Sequence, residues 1–118
     1  MSWNVQIPRE QTLEIVRRNR DNHKAVVDKA LEAYRAAVIE ELERRIATIK
    51  NGERINTYVN LPQPEDHSDE YETVIGMLEM CQQDTIEVSP FEYRAYVEDK
   101  WDWKDRWVTT NSTYGVNA

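Results

Sequence analysis

The 118-residue sequence is short of most parts from which enzymes are built: one cysteine, two histidines, three glycines, four prolines and one phenylalanine. A single cysteine, Cys81, excludes an internal disulfide framework and any multi-cysteine zinc site. Three glycines leave hardly any room for a glycine-rich phosphate loop. There is no GxSxG elbow, no HExxH pair and no cysteine–histidine pattern. No apolar run approaches the roughly 20 residues that span a bilayer, and the first residues show neither a basic nor an apolar leader region, so the expected location is the cytoplasm, with no membrane partner.

What is present is charge. Charged residues make up 31% of the chain, the mean hydropathy is -0.80 and the net charge is -7. Residues 1–56 carry eleven Lys/Arg against nine Asp/Glu, and residues 57–118 carry four against thirteen. The acidic second half disfavours direct nucleic-acid binding, which requires cations to neutralise phosphates. It suits solubility or a basic partner. The length supports one domain, in which residues 1–52 form a short strand and a long helix for oligomerisation, 53–108 a small α+β part, and 109–118 a polar tail.

Trp3, Val5 and Ile7 alternate with polar residues and predict a strand, which Pro8 ends. From Arg9 to Lys50 the pattern is helical. Apolar side chains recur at Leu13, Val16, Val27, Leu31, Tyr34, Val38, Leu42, Ile46 and Ile49, on what reads as one stripe. Glu14–Arg18, Glu40–Arg44 and Glu41–Arg45 are favourable i,i+4 pairs, and Asn51-Gly52 is a stop. The weak point is Arg17-Arg18-Asn19-Arg20-Asp21-Asn22, which is polar and holds poor helix formers, and where the helix is expected to kink or restart. A helix this long reaches about 60 Å. Part of its stripe must then pack outside its own globule, most simply on a second copy. The expected homodimer interface is Val16, His23, Val27, Leu31, Tyr34 and Val38, with a coiled-coil character.

Beyond Gly52 the alternation of Ile55, Thr57, Val59 and Leu61 predicts a strand. A helix carrying Tyr71, Val74, Ile75, Leu78 and Cys81 on one face follows, then a strand Thr85-Ile86-Glu87-Val88. Ser89-Pro90-Phe91-Glu92 is a capping box with proline at the first helical position, opening a helix expected to reach about Lys100. The expected fold is α+β: one long N-terminal amphipathic helix, a small two- to three-stranded sheet and two shorter helices.

His23 with Ala30 and Tyr34, the run Pro64-Glu65-Asp66-His67, Tyr71, Met77-Leu78-Glu79-Met80, Tyr96-Val97-Glu98-Asp99, Trp101-Asp102-Trp103-Lys104 and Thr110-Asn111-Ser112-Thr113-Tyr114 stand in an order and spacing that resembles a family of small bacteriophage- and prophage-encoded proteins of unknown function. The resemblance covers most of the chain and implies a phage accessory protein acting in the host cytoplasm. It transfers no functional residue.

Several groups of side chains invite a chemical reading. Trp101, Trp103 and Trp107 with Lys104 and Arg106 combine the residue types that dominate binding hot spots, and are the expected contacts of a partner or nucleotide. The competing reading is core, which a chain with one phenylalanine must fill with something large. The acids around His67 (Glu65, Asp66, Asp69, Glu70) suggest a divalent cation, but the spacing matches no calcium loop and a helix N-terminus attracts acids in any case. Arg17, Arg18, Arg20 and Lys24 read as a solvated face paired with acids of a neighbouring chain. His23 reads as a polar, register-setting residue in a helix seam, Cys81 as a buried thiol, and the residues after Thr109 as a frayed or capping terminus.

No catalytic residue, metal ligand or cofactor is assigned. The function expected is that of a non-enzymatic, phage-encoded binding protein, a homo-oligomer that sequesters or inhibits a host-defence protein or a signalling nucleotide. The alternatives are a phage structural or assembly protein, and a metal-dependent hydrolase using Asp66 and His67.

Overall fold

In the computed structural model, residues 3–54 and 59–114 are described. The fold is α+β and mostly helical, in the order β1 (Val5–Pro8), α1 (Arg9–Lys50), α2 (Ser68–Met80), β2 (Thr85–Val88), α3 (Pro90–Tyr96) and α4 (Lys104–Asn111), closed by a 3₁₀ turn over Ser112–Tyr114. The molecule measures 71 × 26 × 19 Å. Its long axis is α1, whose 42 residues span about 63 Å.

β1 and β2 form an antiparallel ribbon in which Val5 faces Val88 and Ile7 faces Ile86. The period of two puts Ile7 and Val88 into one core with Leu13, Val16, Tyr71, Val74, Ile75 and Leu78. Pro8 is the last strand residue and also precedes the helix, where its missing N–H is no loss. The Arg9 N–H and guanidinium donate to the carbonyls of Asp84 and Gln83, tying the start of α1 to the start of β2.

α1 runs without interruption through 17–22, so the helix does not restart there. Asn19 and Asn22 sit inside a continuous helix at a cost of about 0.6 kcal/mol each relative to alanine. The helix stops where Asn51-Gly52 predicts: Gly52 has φ +85°, its N–H donates to Ile49 O, and the Glu53 N–H donates to Thr48 O, which is a Schellman motif. Arg44 pairs with Glu40 and Glu41, and Arg45 with Glu41.

The single stripe read along α1 is two. Each step of four residues overshoots a full turn by about 40°, so the run Val38, Leu42, Ile46 walks round the helix. Val16, His23, Val27 and Ala30 face the body and are buried. Ile39, Leu42, Ile46 and Ile49 lie on a second stripe, roughly 100° away, and are exposed. The interface expected at Val16, His23 and Val27 is therefore corrected: the chain's own α2 and α4 cover these residues. Leu31 packs beside Trp107, and Tyr34 meets Tyr114 edge-on at 5.7 Å. Val38 is half-buried.

α2 turns Tyr71, Val74, Ile75 and Leu78 inward as its period requires. Cys81 instead caps the helix, half-buried, its N–H on Met77 O. The capping box forms: the Glu92 N–H donates to Ser89 Oγ and the Ser89 N–H to Glu92 Oε1, both at 3.0 Å. α3 ends at Tyr96 and not near Lys100, because Asp99 takes a left-handed conformation, φ +59°. Of the strand expected at Ile55–Leu61, residues 55–58 lie outside the described residues, and 59–61 are not strand. The sheet has two strands among the described residues.

Residues 109–114 are not a tail. Thr109 to Asn111 complete α4, and Asn111 is fully buried. Its amide accepts from the Glu65 N–H and donates to Glu65 O, and Trp107 Nε1 donates to the same carbonyl at 2.6 Å. The half-buried backbone N–H and C=O of Glu65, with no strand beside them, are satisfied by two side chains.

Candidate binding site

Where α1, α2 and the 99–107 segment meet, four rings pack around His23. Trp107 lies at 4.9 Å between centroids, Tyr71 at 5.3 Å, Trp103 at 5.4 Å and His67 at 6.5 Å. His23 is 5% exposed. Its Nε2 accepts the His67 N–H at 3.0 Å, so the neutral ring carries its proton on Nδ1. Burial lowers its pKa. Asp66, with Oδ1 3.7 Å from Nε2, opposes that; His67 and Lys104 reinforce it, and Asp99 opposes it more weakly.

Asp99 organises the opposite wall. Oδ1 accepts from Tyr71 Oη at 2.7 Å and Trp101 Nε1 at 3.0 Å, and Oδ2 takes Lys104 Nζ at 2.5 Å. Lys104 also donates to Asp99 O. This network explains the left-handed backbone of Asp99, a conformation that persists only when its surroundings fix it. It also raises the Tyr71 pKa, through burial first and the Asp99 carboxylate second.

Between these walls lies a cavity of about 190 Å³. α1 contributes Asn19, Asn22, His23 and Val26, and the other side Tyr71, Asp99, Lys104 and Trp107. A second, apolar groove of about 290 Å³ runs along β1 between Ile7, Ile15, Tyr93 and Val97.

The predicted contacts do not form one surface. Trp107, 1% exposed, is core; this corrects its placement as a partner contact, since its ring fills the space above Val27 and Ala30. Trp101 and Trp103 are half-buried. Trp103 stacks on the His67 ring, 4.2 Å apart and 4° from parallel, and its Nε1 is buried without a hydrogen-bond partner among the described residues. Lys104 faces the cavity, whereas Arg106 is exposed and outside its lining.

His67 sits between two carboxylates, Nε2 at 3.1 Å from Glu65 and Nδ1 at 3.3 Å from Glu70. Asp66 accepts from the Ser68 N–H and hydroxyl. Its own partial burial works against ionisation, but those two donors hold its pKa low. Among the described residues no three His, Cys, Asp or Glu side chains gather as a metal site. Of the basic stretch, Arg17 pairs with Glu79, and Arg20 and Lys24 with Glu72, within the chain itself.

Sequence reading missed Asn19, Asn22, Tyr71 and Asp99 as wall residues. Its one signal was the run of poor helix formers at 17–22, which marks a cavity wall and not a break. Set beside models of protein families, curated proteins and solved structures, the chain matches none of them.

Proposed function

We propose that this chain is a self-associating, non-enzymatic binding protein, phage-encoded and active in the host cytoplasm, that captures a host factor stoichiometrically. The observation that carries the reading is the second stripe of α1. Ile39, Leu42, Ile46 and Ile49 follow a 3-4-3 spacing, two heptads of a helix seam, on the part of the helix beyond its last buried residue, Ala30. Each is between 40% and 56% exposed. Covering the four gains on the order of 1 kcal/mol apiece. A second copy presents the same stripe and is the simplest cover.

The polar groups of the body support binding over turnover. Asp99, Tyr71 and Lys104 are committed to one another by hydrogen bonds, and the His67 ring to Glu65 and Glu70. Such a network builds a rigid wall more readily than a proton shuttle. A hydrolase built on Asp66 and His67 has the least support, since both side chains are held by neighbours.

Multi-angle light scattering across a wide concentration range tests the reading. A single closed dimer or small oligomer is expected. A monomer at the highest concentration removes the self-associating part. Growth without a plateau favours instead the phage assembly protein, for which the same stripe would serve.

A further inference from the structure

The exposed apolar stripe of α1 ends where the helix ends. Ile39, Leu42, Ile46 and Ile49 occupy the a and d positions of two heptads, and α1 stops one residue later, at Lys50. Towards the N-terminus the same seam runs on through Arg35, Glu32, Asp28, Ala25 and Asp21, all exposed. The seam is therefore apolar over its last stretch of roughly 15 Å and charged at four of the five positions before it.

We infer that two copies pair antiparallel through the C-terminal ends of α1, with their bodies pointing away from one another; this rests on the reading of the chain as self-associating. Ile39 then meets the partner's Ile49, and Leu42 the partner's Ile46, about a two-fold axis beside Arg44. All four apolar side chains of each copy are covered. The overlap runs from Val38 to Lys50, and both helices end at its limits, so no charged position of the seam is drawn into it. A parallel pair covers the same four residues but aligns the helices along their whole length. It sets Arg35, Glu32, Asp28 and Asp21 each towards its own copy, and like charges face to face disfavour a pairing. The flanks of the seam agree. Parallel pairing brings Arg45 beside the partner's Lys50, whereas antiparallel pairing brings Glu43 beside it. Near the axis Glu43 and Arg45 also approach their own copies, but Arg45 is already paired with Glu41, and Glu43 has the partner's Lys50. Each copy uses the whole stripe of the other, so the assembly closes at two. The bodies, gathered on the buried stretch of α1 from Thr12 to Ala30, are held roughly 70 Å apart.

Small-angle X-ray scattering of the unmodified full chain, at a concentration where light scattering reads a dimer, tests the orientation. Two molecules 71 Å long that overlap by about 20 Å should span about 120 Å. A dimer whose greatest dimension stays close to the 71 Å of one molecule overturns the antiparallel pairing and leaves self-association standing; a monomer at every concentration removes both. Thiol crosslinking gives an independent reading. In a Cys81→Ser background under mild oxidation, Ile39→Cys mixed with Ile49→Cys should give a disulfide-linked dimer, and neither variant should link to itself. Self-linking of either one alone overturns the inference. Lys50→Glu should weaken the dimer severalfold, because it sets a second carboxylate beside Glu43. Tighter association of that variant, the result expected if Arg45 is the neighbour, overturns it as well.

Discussion

His23 accepts a hydrogen bond that only its neutral ring can accept. Burial holds its pKa below the ordinary 6.5. As the pH falls through about 6.5, the unfolded chain therefore takes up a proton that the folded chain refuses, and stability drops. Asp66 and Asp99 soften the effect; His67 and Lys104 sharpen it. Melting temperatures measured from pH 8 to pH 5 should fall, and His23→Gln, which keeps an acceptor for the His67 N–H, should flatten that limb; an unchanged slope would show that another group titrates. Asp99 offers a second test. Asp99→Ala strips three donors of their acceptor and leaves a left-handed backbone on a residue that resists it, a loss of roughly 2–4 kcal/mol. Asp99→Asn keeps an acceptor and tolerates that backbone, so denaturant titration should find less than half the loss. These residues were hard to read in the sequence because their partners lie far away: Asp99 meets Tyr71 across 28 positions, and His23 meets His67 across 44.

Elements whose causes are local were legible. The box at Ser89 and Glu92 spans three residues and forms as its spacing requires. Ser89→Ala should lower stability by about 1 kcal/mol, read as a shift in denaturant midpoint without a change in slope. The Asn51-Gly52 stop, the inward face of α2 and the strand Thr85–Val88 are of the same kind. Not legible was which neighbour covers which face. Period alone placed Val16, Val27, Leu42 and Ile46 on one stripe, since a drift of 40° per step is small until it has accumulated over three or four steps. The closing segment was misread for a related reason. Thr109-Thr110-Asn111 is polar, and polarity suggests exposure, yet Asn111 is buried, its amide paired with both backbone polar groups of Glu65.

At the scale of the whole molecule the body gathers on the first half of α1, and the second half carries its own apolar stripe. Leu42→Glu combined with Ile46→Glu should abolish association and leave the melting temperature of the monomer within about 1 kcal/mol equivalent of the parent, because neither residue touches the core. Sedimentation velocity beside a thermal melt checks both halves; a collapse of the fold in that variant would mean that the stripe is needed within the protomer. The pairing of Val5 with Val88 has a consequence for biosynthesis. At translation speeds of roughly 5–20 residues per second, the first strand waits on the order of 4–16 s for its partner to be made. In the course of that interval α1 is completed, with its greasy side chains uncovered until α2 and α4 are made.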